Sequence, residues 1–162
     1  MKNYALIFAG GSGTRMHSRS VPKQFLKLYG KEIIVYTLEN FQKHKMIDGI
    51  VVACKKDRIS FLKQLVQDYG LTKVRAIVNG GKTSGESIFN ALSELKKTEQ
   101  EPSVVLINDG VRPLISQELI TECIKCTVKN GNAIACSPAT ETILREEKNR
   151  VTEILDRSLC TS

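Results

Sequence analysis

The sequence predicts an α/β fold: a single Rossmann-like domain with a mostly parallel sheet between helices, plus a C-terminal β-hairpin arm. Three observations lead there. Short apolar runs alternate with longer amphipathic stretches. The apolar runs break into turns rich in Gly, Asn or Asp, as strand ends do. After Pro138 that rhythm changes to two short runs flanking a polar turn.

Taken in order, Tyr4 to Ala9 (YALIFA) reads as a buried strand that breaks at once into Gly10-Gly11-Ser12-Gly13. Glu32 to His44 reads as a helix, with Ile33, Tyr36, Thr37, Asn40 and Phe41 spaced to cover one face. Gly49 to Cys54 is a second strand, and Asp57 to Tyr69 an amphipathic helix stopped by Gly70. Val74 to Val78 is a third strand ending at Asn79-Gly80-Gly81. Ser84 to Lys97 follows as a helix, with Ile88, Ala91, Leu92 and Leu95 inward. Val104 to Ile107 is a wholly apolar fourth strand running into Asn108-Asp109-Gly110. Ser116 caps a helix over Gln117 to Lys129, closed by Asn130-Gly131, and Asn132 to Ser137 is expected as a fifth strand. Thr140 to Arg145 and Arg150 to Leu155 then form a hairpin around Glu146 to Asn149. Residues 138–156 are expected to project from the body, and the 140–155 hairpin to pair with a second subunit.

With 162 residues, the chain is expected to form one domain over 1–162 with a sizeable core. Apolar residues at 41% and charged residues at 25% exclude a disordered or collagen-like chain. No run approaches the length of a membrane span, and the start leads straight into a strand, so the expected setting is the cytoplasm. The net charge of +7 suits phosphate-bearing ligands. The basic residues are scattered, and aromatics, at 6%, do not interleave with them. That pattern argues against a nucleic-acid platform. The five cysteines are expected as free thiols, and Cys123-x-x-Cys126 lacks a second ligand pair at zinc spacing. His17 and His44 belong to no motif and are expected at the surface.

In an open α/β sheet, ligands bind beyond the carboxyl ends of the strands, which makes three loops informative. The first is Ala9-Gly10-Gly11-Ser12-Gly13-Thr14-Arg15-Met16, followed shortly by Pro22-Lys23-Gln24. Its glycines let backbone N–H groups approach phosphate oxygens, and Arg15 and Lys23 add positive charge. It has neither the Gly-Lys-Ser/Thr of a Walker A loop nor a G-x-G-x-x-G order. Taken singly, Arg15 and Lys23 also read as solvated surface charges and Asp109 as a turn residue.

The three loops together are more specific. Gly10-Gly11-x-Gly13-x-Arg15-Met16 with Pro22-Lys23-Gln24 resembles the nucleotidyltransferase superfamily. Gly80-Gly81 with Glu86-Ser87-Ile88, and Asp109-Gly110-Val111-Arg112-Pro113, resemble the polyol-phosphate cytidylyltransferases within it. That family comprises the 2-C-methyl-D-erythritol 4-phosphate enzymes of isoprenoid synthesis and the ribitol 5-phosphate enzymes of teichoic acid and capsule synthesis. The resemblance implies attack of a polyol phosphate oxygen on the α-phosphorus of CTP, with pyrophosphate leaving. It makes Arg15 and Lys23 the charge-stabilising pair on the triphosphate. Backbone at Ala9, Gly10, Gly11, Gly13 and Gly81, with the Ser87 hydroxyl, would hold the nucleotide. Asp109 would stand beside Mg²⁺, and Asp109, Arg112, Thr142 and Arg157 would hold the polyol phosphate. A homodimer is implied as well.

This sequence departs from the family pattern at Asn108, where a His is common, and at Lys82, where an acidic or small polar residue is common. It also ends before the Thr-Pro-Gln segment and final helix such enzymes carry. The Arg15-to-Lys23 loop has the longer form seen in ribitol enzymes, whereas Asp156-Arg157-Ser158 resembles the methylerythritol group. The reading places methylerythritol phosphate slightly first. Two alternatives stay open: a hexose 1-phosphate nucleotidyltransferase, and a non-catalytic nucleotide-binding or assembly module.

Overall fold

The computed structural model describes residues 1–10, 21–99 and 103–161. Four parallel strands make the main sheet: β1 (Lys2–Ala9), β4 (Gly49–Cys54), β5 (Val74–Asn79) and β6 (Ser103–Asp109), in the order β5-β4-β1-β6. All six residues of β4 are buried, because it lies between two strands and under helices on both faces. Its Gly-Ile-Val-Val-Ala-Cys sequence is the continuous apolar run that such a position requires.

The two faces follow the period of a strand. Ala5, Ile7, Ala9, Ile50, Val52 and Cys54 point into the larger core, with Ile34, Leu38 and Phe41 of α1 (Ile33–Lys43) and Leu62 and Leu65 of α2 (Ile59–Asp68). Ile120 and Ile124 of α4 (Gln117–Asn130) join the same core. Tyr4, Leu6, Val51 and Ala53 point the other way, onto Ala91 and Leu95 of α3 (Ser84–Thr98). Truncating a leucine as buried as Leu38 or Leu62 would cost about 2–5 kcal/mol.

Local signals set the helix ends. Thr83 and Ser116 cap α3 and α4, each hydroxyl accepting the N–H three residues on, from Glu86 and Leu119. Gly131 closes α4 with φ +88°, a conformation that favours glycine. The face of α1 is rotated from the expected one: Ile34, Val35, Thr37, Leu38 and Phe41 are buried, while Ile33, Tyr36 and Asn40 are half-buried at its margins. On α3, Leu92 is exposed, and Ser87 takes an inward place instead. A two-residue ladder, β2 (Lys27–Leu28) against β3 (Lys31–Glu32), turns through Tyr29 and Gly30, both at positive φ.

Two further expectations are corrected. Asn132 to Ser137 forms no strand, and apart from half-buried Ala133 its residues are exposed, Ile134 at 87%. Ala133 to Ala135 line a cavity of about 470 Å³ whose other walls include β6, so the segment stands off the strand it would have paired with. It forms no ladder with β6, which stays at the edge of the sheet, so its strand propensity goes unused. His44 is also not a surface residue. It is 5% exposed, with Nε2 against the Gln117 carbonyl and Thr121 Oγ1, and Nδ1 accepting the Met46 N–H. The histidine thereby fastens the end of α1 to the start of α4.

The hairpin forms, with its first strand shifted: β7 (Ile143–Glu147) starts three residues later than expected and takes in Glu146 and Glu147, β8 (Arg150–Leu155) matches, and Lys148 and Asn149 at positive φ make a two-residue turn. Arg145 pairs with Glu153 across it. At its foot, Ala139 N–H bonds the Cys160 carbonyl and Pro138 bridges Thr161. All five cysteines are free thiols. No helix among the described residues is long and apolar enough to cross a membrane.

Candidate active site

The carboxyl ends of β1, β4 and β5 converge. Gly80 N–H donates to the Cys54 carbonyl at 2.7 Å, drawing the end of β5 onto the end of β4. Ser87, 1% exposed, sits at the junction: its Oγ donates to the Thr83 carbonyl at 2.9 Å and accepts the Gly81 N–H at 3.0 Å. Side chains have no room here. A Cβ on Gly10 or on Gly80 would stand 3.1 Å from Ser87 Oγ, and one on Gly81 would stand 2.1 Å from Glu86 Cβ.

The result is a cavity of about 290 Å³ lined by Phe8, Gly10, Lys55, Gly81, Lys82, Thr83, Ser84 and Ser87. Among the described lining residues the charged groups are Lys55 and Lys82, which favour an anion. The neighbouring Glu86 carboxylate is turned to the backbone, accepting the Lys82 N–H at 2.7 Å.

Lys23 reaches this end of the sheet through a short 3-10 turn, Lys23–Phe25, that Pro22 opens. Phe25 is buried, edge-on to Phe61 with ring centres 5.6 Å apart. Gln24 is buried too, and its Nε2 donates to the Ala9 carbonyl at 2.6 Å.

The third loop lies at the end of β6. Gly110 N–H donates to the Phe8 carbonyl at 3.0 Å, and a Cβ there would press on Ala9 Cβ at 3.1 Å. The loop is therefore packed directly on β1. Asp109 Oδ1 accepts the Val111 N–H at 3.1 Å, while its backbone carbonyl accepts from Arg112 N–H and from Asn108 Nδ2. Asn108 thus stiffens the turn with its amide. Helix α1 holds the loop from beneath: Thr37 Oγ1 donates to the Gly110 carbonyl at 3.0 Å and Asn40 Nδ2 to the Pro113 carbonyl at 2.6 Å. Asp109 and the exposed Arg112 line the 470 Å³ cavity beside β6, where Asp109 is the carboxylate among the described lining residues.

Of the expected site residues, Ala9, Gly10, Gly81, Ser87, Lys23, Asp109 and Arg112 thus come to one end of the sheet. Gly11, Gly13 and Arg15 lie outside the described residues, as does His17. Thr142 and Arg157 stand at the foot of the arm, where Arg157 Nη1 donates to the Thr140 carbonyl at 3.2 Å. Neither lines the cavity at the sheet end or the one along β6, and Lys23 is in neither lining. Sequence reasoning passed over Lys55, Thr37, Asn40 and the inward role of Gln24. Lys55 follows a strand directly, which is a readable signal; the other three declare themselves only through contacts distant in sequence.

Cys54, at the end of β4, has its thiol pushed up from the ordinary 9.0 to about 11 by burial, with Asp57 adding to the shift. It is a neutral core thiol beside the site and not a nucleophile.

A parallel sheet whose strand ends meet in a glycine-walled, lysine-lined cavity makes an α/β domain with a candidate anion site, and likeness to known proteins places it in the nucleotidyltransferase class. Residues 4–161 match the family described as IspD, 2-C-methyl-D-erythritol 4-phosphate cytidylyltransferase, and the chain belongs to it. It is 47% identical over 158 residues to a ribitol-5-phosphate cytidylyltransferase of Vibrio parahaemolyticus, covering 97% of this chain and 66% of the relative. To a 2-C-methyl-D-erythritol 4-phosphate cytidylyltransferase of Geobacter metallireducens it is 37% identical, over 94% of this chain and 66% of the relative. The fold is similar to a 4-diphosphocytidyl-2C-methyl-D-erythritol synthase of Anaerococcus prevotii, with TM-score 0.81 and 26% identity over 99% of this chain and 66% of that one. The chain therefore spans just under two thirds of the length of these relatives.

Proposed function

We propose that the protein transfers a cytidylyl group from CTP to a polyol phosphate, with ribitol 5-phosphate ahead of methylerythritol 4-phosphate. That order reverses the weighting read from the sequence, since the ribitol-named relative shares 47% identity against 37% for the methylerythritol-named one. The observation that carries the reading is the juxtaposition of two cavities that share Phe8 of β1. One, at the sheet end, is walled by glycine backbone and lined by lysines; the other runs along β6 from Val105 and has Asp109 and Arg112 in its lining.

In the reaction, a phosphate oxygen of the polyol phosphate forms a bond to the α-phosphorus of CTP. The bond from that phosphorus to the bridging oxygen breaks, and pyrophosphate carries the electron pair away. Positioning and charge stabilisation supply most of the catalysis in such a displacement. Backbone at Ala9, Gly10, Gly11, Gly13 and Gly81, with Ser87 beneath, holds the base and ribose. Arg15 and Lys23 spread the developing charge over the triphosphate, and Lys55 and Lys82 add positive charge in the glycine-walled cavity. Arg112, Thr142 and Arg157 take the acceptor phosphate, for which the guanidinium fork is suited.

Magnesium typically uses one or two carboxylates plus substrate phosphates. Asp109 fits that donor set: one oxygen is engaged by Val111 N–H, and the group lines the cavity with no second acid crowding it among the described lining residues. When bound, the ion would neutralise phosphate charge.

The arm supports a homodimer. Its strands pair with each other, and Leu144, Val151 and Ile154 are 50%, 58% and 70% exposed, apolar surface that a second arm would cover.

The test is pyrophosphate release from CTP and Mg²⁺ with each polyol phosphate. Release with ribitol 5-phosphate is expected. Release only with methylerythritol 4-phosphate would overturn the choice of polyol, and silence with both would overturn cytidylyl transfer. Release from UTP with a hexose 1-phosphate would favour the hexose reading instead.

A further inference from the structure

Lysine is a poor choice for aiming a charge, because its four-carbon stem is flexible and its ammonium rotates freely. A lysine that must meet a phosphate therefore depends on how firmly its backbone is held. Lys23 is held from two sides. Phe25, two residues on, is sunk in the larger core at 4% exposure. Gln24, the next residue, is buried at 3%, and its Nε2 makes the 2.6 Å bond to the Ala9 carbonyl, fifteen residues back.

The two anchors do different things. Phe25 keeps the segment on the protein but specifies little about its height along β1, since apolar packing is not directional. The Gln24 amide bonds one named carbonyl, that of the last residue of β1. The next residue, Gly10, walls the nucleotide cavity. A buried carboxamide must find partners, so the bond carries a penalty for being out of register.

We propose that Gln24 is a positioning residue that sets the Lys23 backbone against the end of β1, and so aims the Lys23 ammonium at the triphosphate. This rests on the cytidylyl-transfer reading. Gln24 touches no reacting atom; it acts through Lys23 and through the Ala9–Gly10 backbone.

The decisive variant is Gln24→Met, of similar length and without the donor. In a double-mutant cycle with Lys23→Ala, Gln24→Met alone should lower kcat by about tenfold or more, as small misplacements of a charge-stabilising group do. On top of Lys23→Ala it should change kcat by less than about twofold. Equal losses in both backgrounds, or no loss in the parent, would overturn the proposal.

A second readout does not need turnover: trypsin cleavage of the Lys23–Gln24 bond, followed by mass. Faster cleavage in Gln24→Met, at unchanged Tm, is expected. Unchanged cleavage would overturn the anchor. If the parent releases no pyrophosphate, the function reading fails, and the trypsin result decides the anchor alone. If Gln24→Met does not fold, the same two measurements on Gln24→Asn, which keeps the amide but falls one methylene short, decide it.

Discussion

Buried polar side chains organise the site more than exposed charges do. Ser87, Thr37 and Gln24 are each at most 3% exposed, and each bonds a backbone group of a different site loop: Gly81, Gly110 and Ala9. Lys82 and Arg112, in two of these loops, remain exposed, as groups that meet a ligand must. Lys23→Ala is expected to lower turnover by about a hundredfold or more, the scale of removing one charge-stabilising group, while Tm stays near the parent's. Near-normal turnover in a kcat measurement would remove Lys23 from the mechanism. Cys54 makes a separate prediction from its pKa near 11. The unfolded chain loses this proton at lower pH than the folded one does, so the contribution of Cys54 is intact below the ordinary thiol range and lost as pH rises toward 11. A Cys54→Ala variant should therefore lose less stability than the parent between pH 9 and 11 in denaturant titrations. At neutral pH, Cys126 and Cys136, both exposed, should react with a thiol reagent before Cys54 does.

Among the elements, the turn from β5 into α3 is the most constrained. Gly80 and Gly81 fold back onto Ser87 and Glu86, and the Thr83 cap starts the helix within the same few residues. Gly81→Ala should cost about 1–3 kcal/mol, because its Cβ would fall 2.1 Å from Glu86 Cβ and the backbone would have to move. Thermal unfolding checks the cost. CTP binding should weaken in the same variant, and a Tm and affinity equal to the parent's would show that the turn yields freely. The outer edge of β6 contrasts with this. Val104 to Ile107 has the apolar run of an interior strand, yet β6 ends the sheet order and Ile107 is 49% exposed.

At the scale of the whole molecule, the arm is the element the body does least to hold. Among the described residues, its hydrogen-bond partners are its own two strands and the contacts at its foot. An isolated two-stranded ribbon is marginal in water, so a stable arm calls for a second surface. Leu144→Lys with Ile154→Lys, opposite one another in the ladder, should shift the protein toward monomer in analytical ultracentrifugation without lowering the Tm of the body. A monomeric parent, or a dimer indifferent to these changes, would place any association elsewhere.

The sequence by itself determined the α/β class, the four sheet strands, the four helices, α4 with its Ser116 and Gly131 ends, and the hairpin. Each is written in local signals: apolar period, capping hydroxyls, and glycine where φ is positive. It also marked the three loops, because glycines and charges cluster where strands stop. Tertiary structure decided the rest. Asn132 to Ser137 has the composition of a strand, but a strand exists only in a ladder with another strand, and here β6 remains the edge of the sheet. The face of α1 and the burial of His44 depended on where α4 and the Asp109 loop pack. Gln24, Thr37 and Asn40 gained their roles from carbonyls fifteen to seventy-three residues away. Periodicity reports which face of an element is apolar, whereas the partner of a buried polar group is fixed only once the chain has brought two distant segments together.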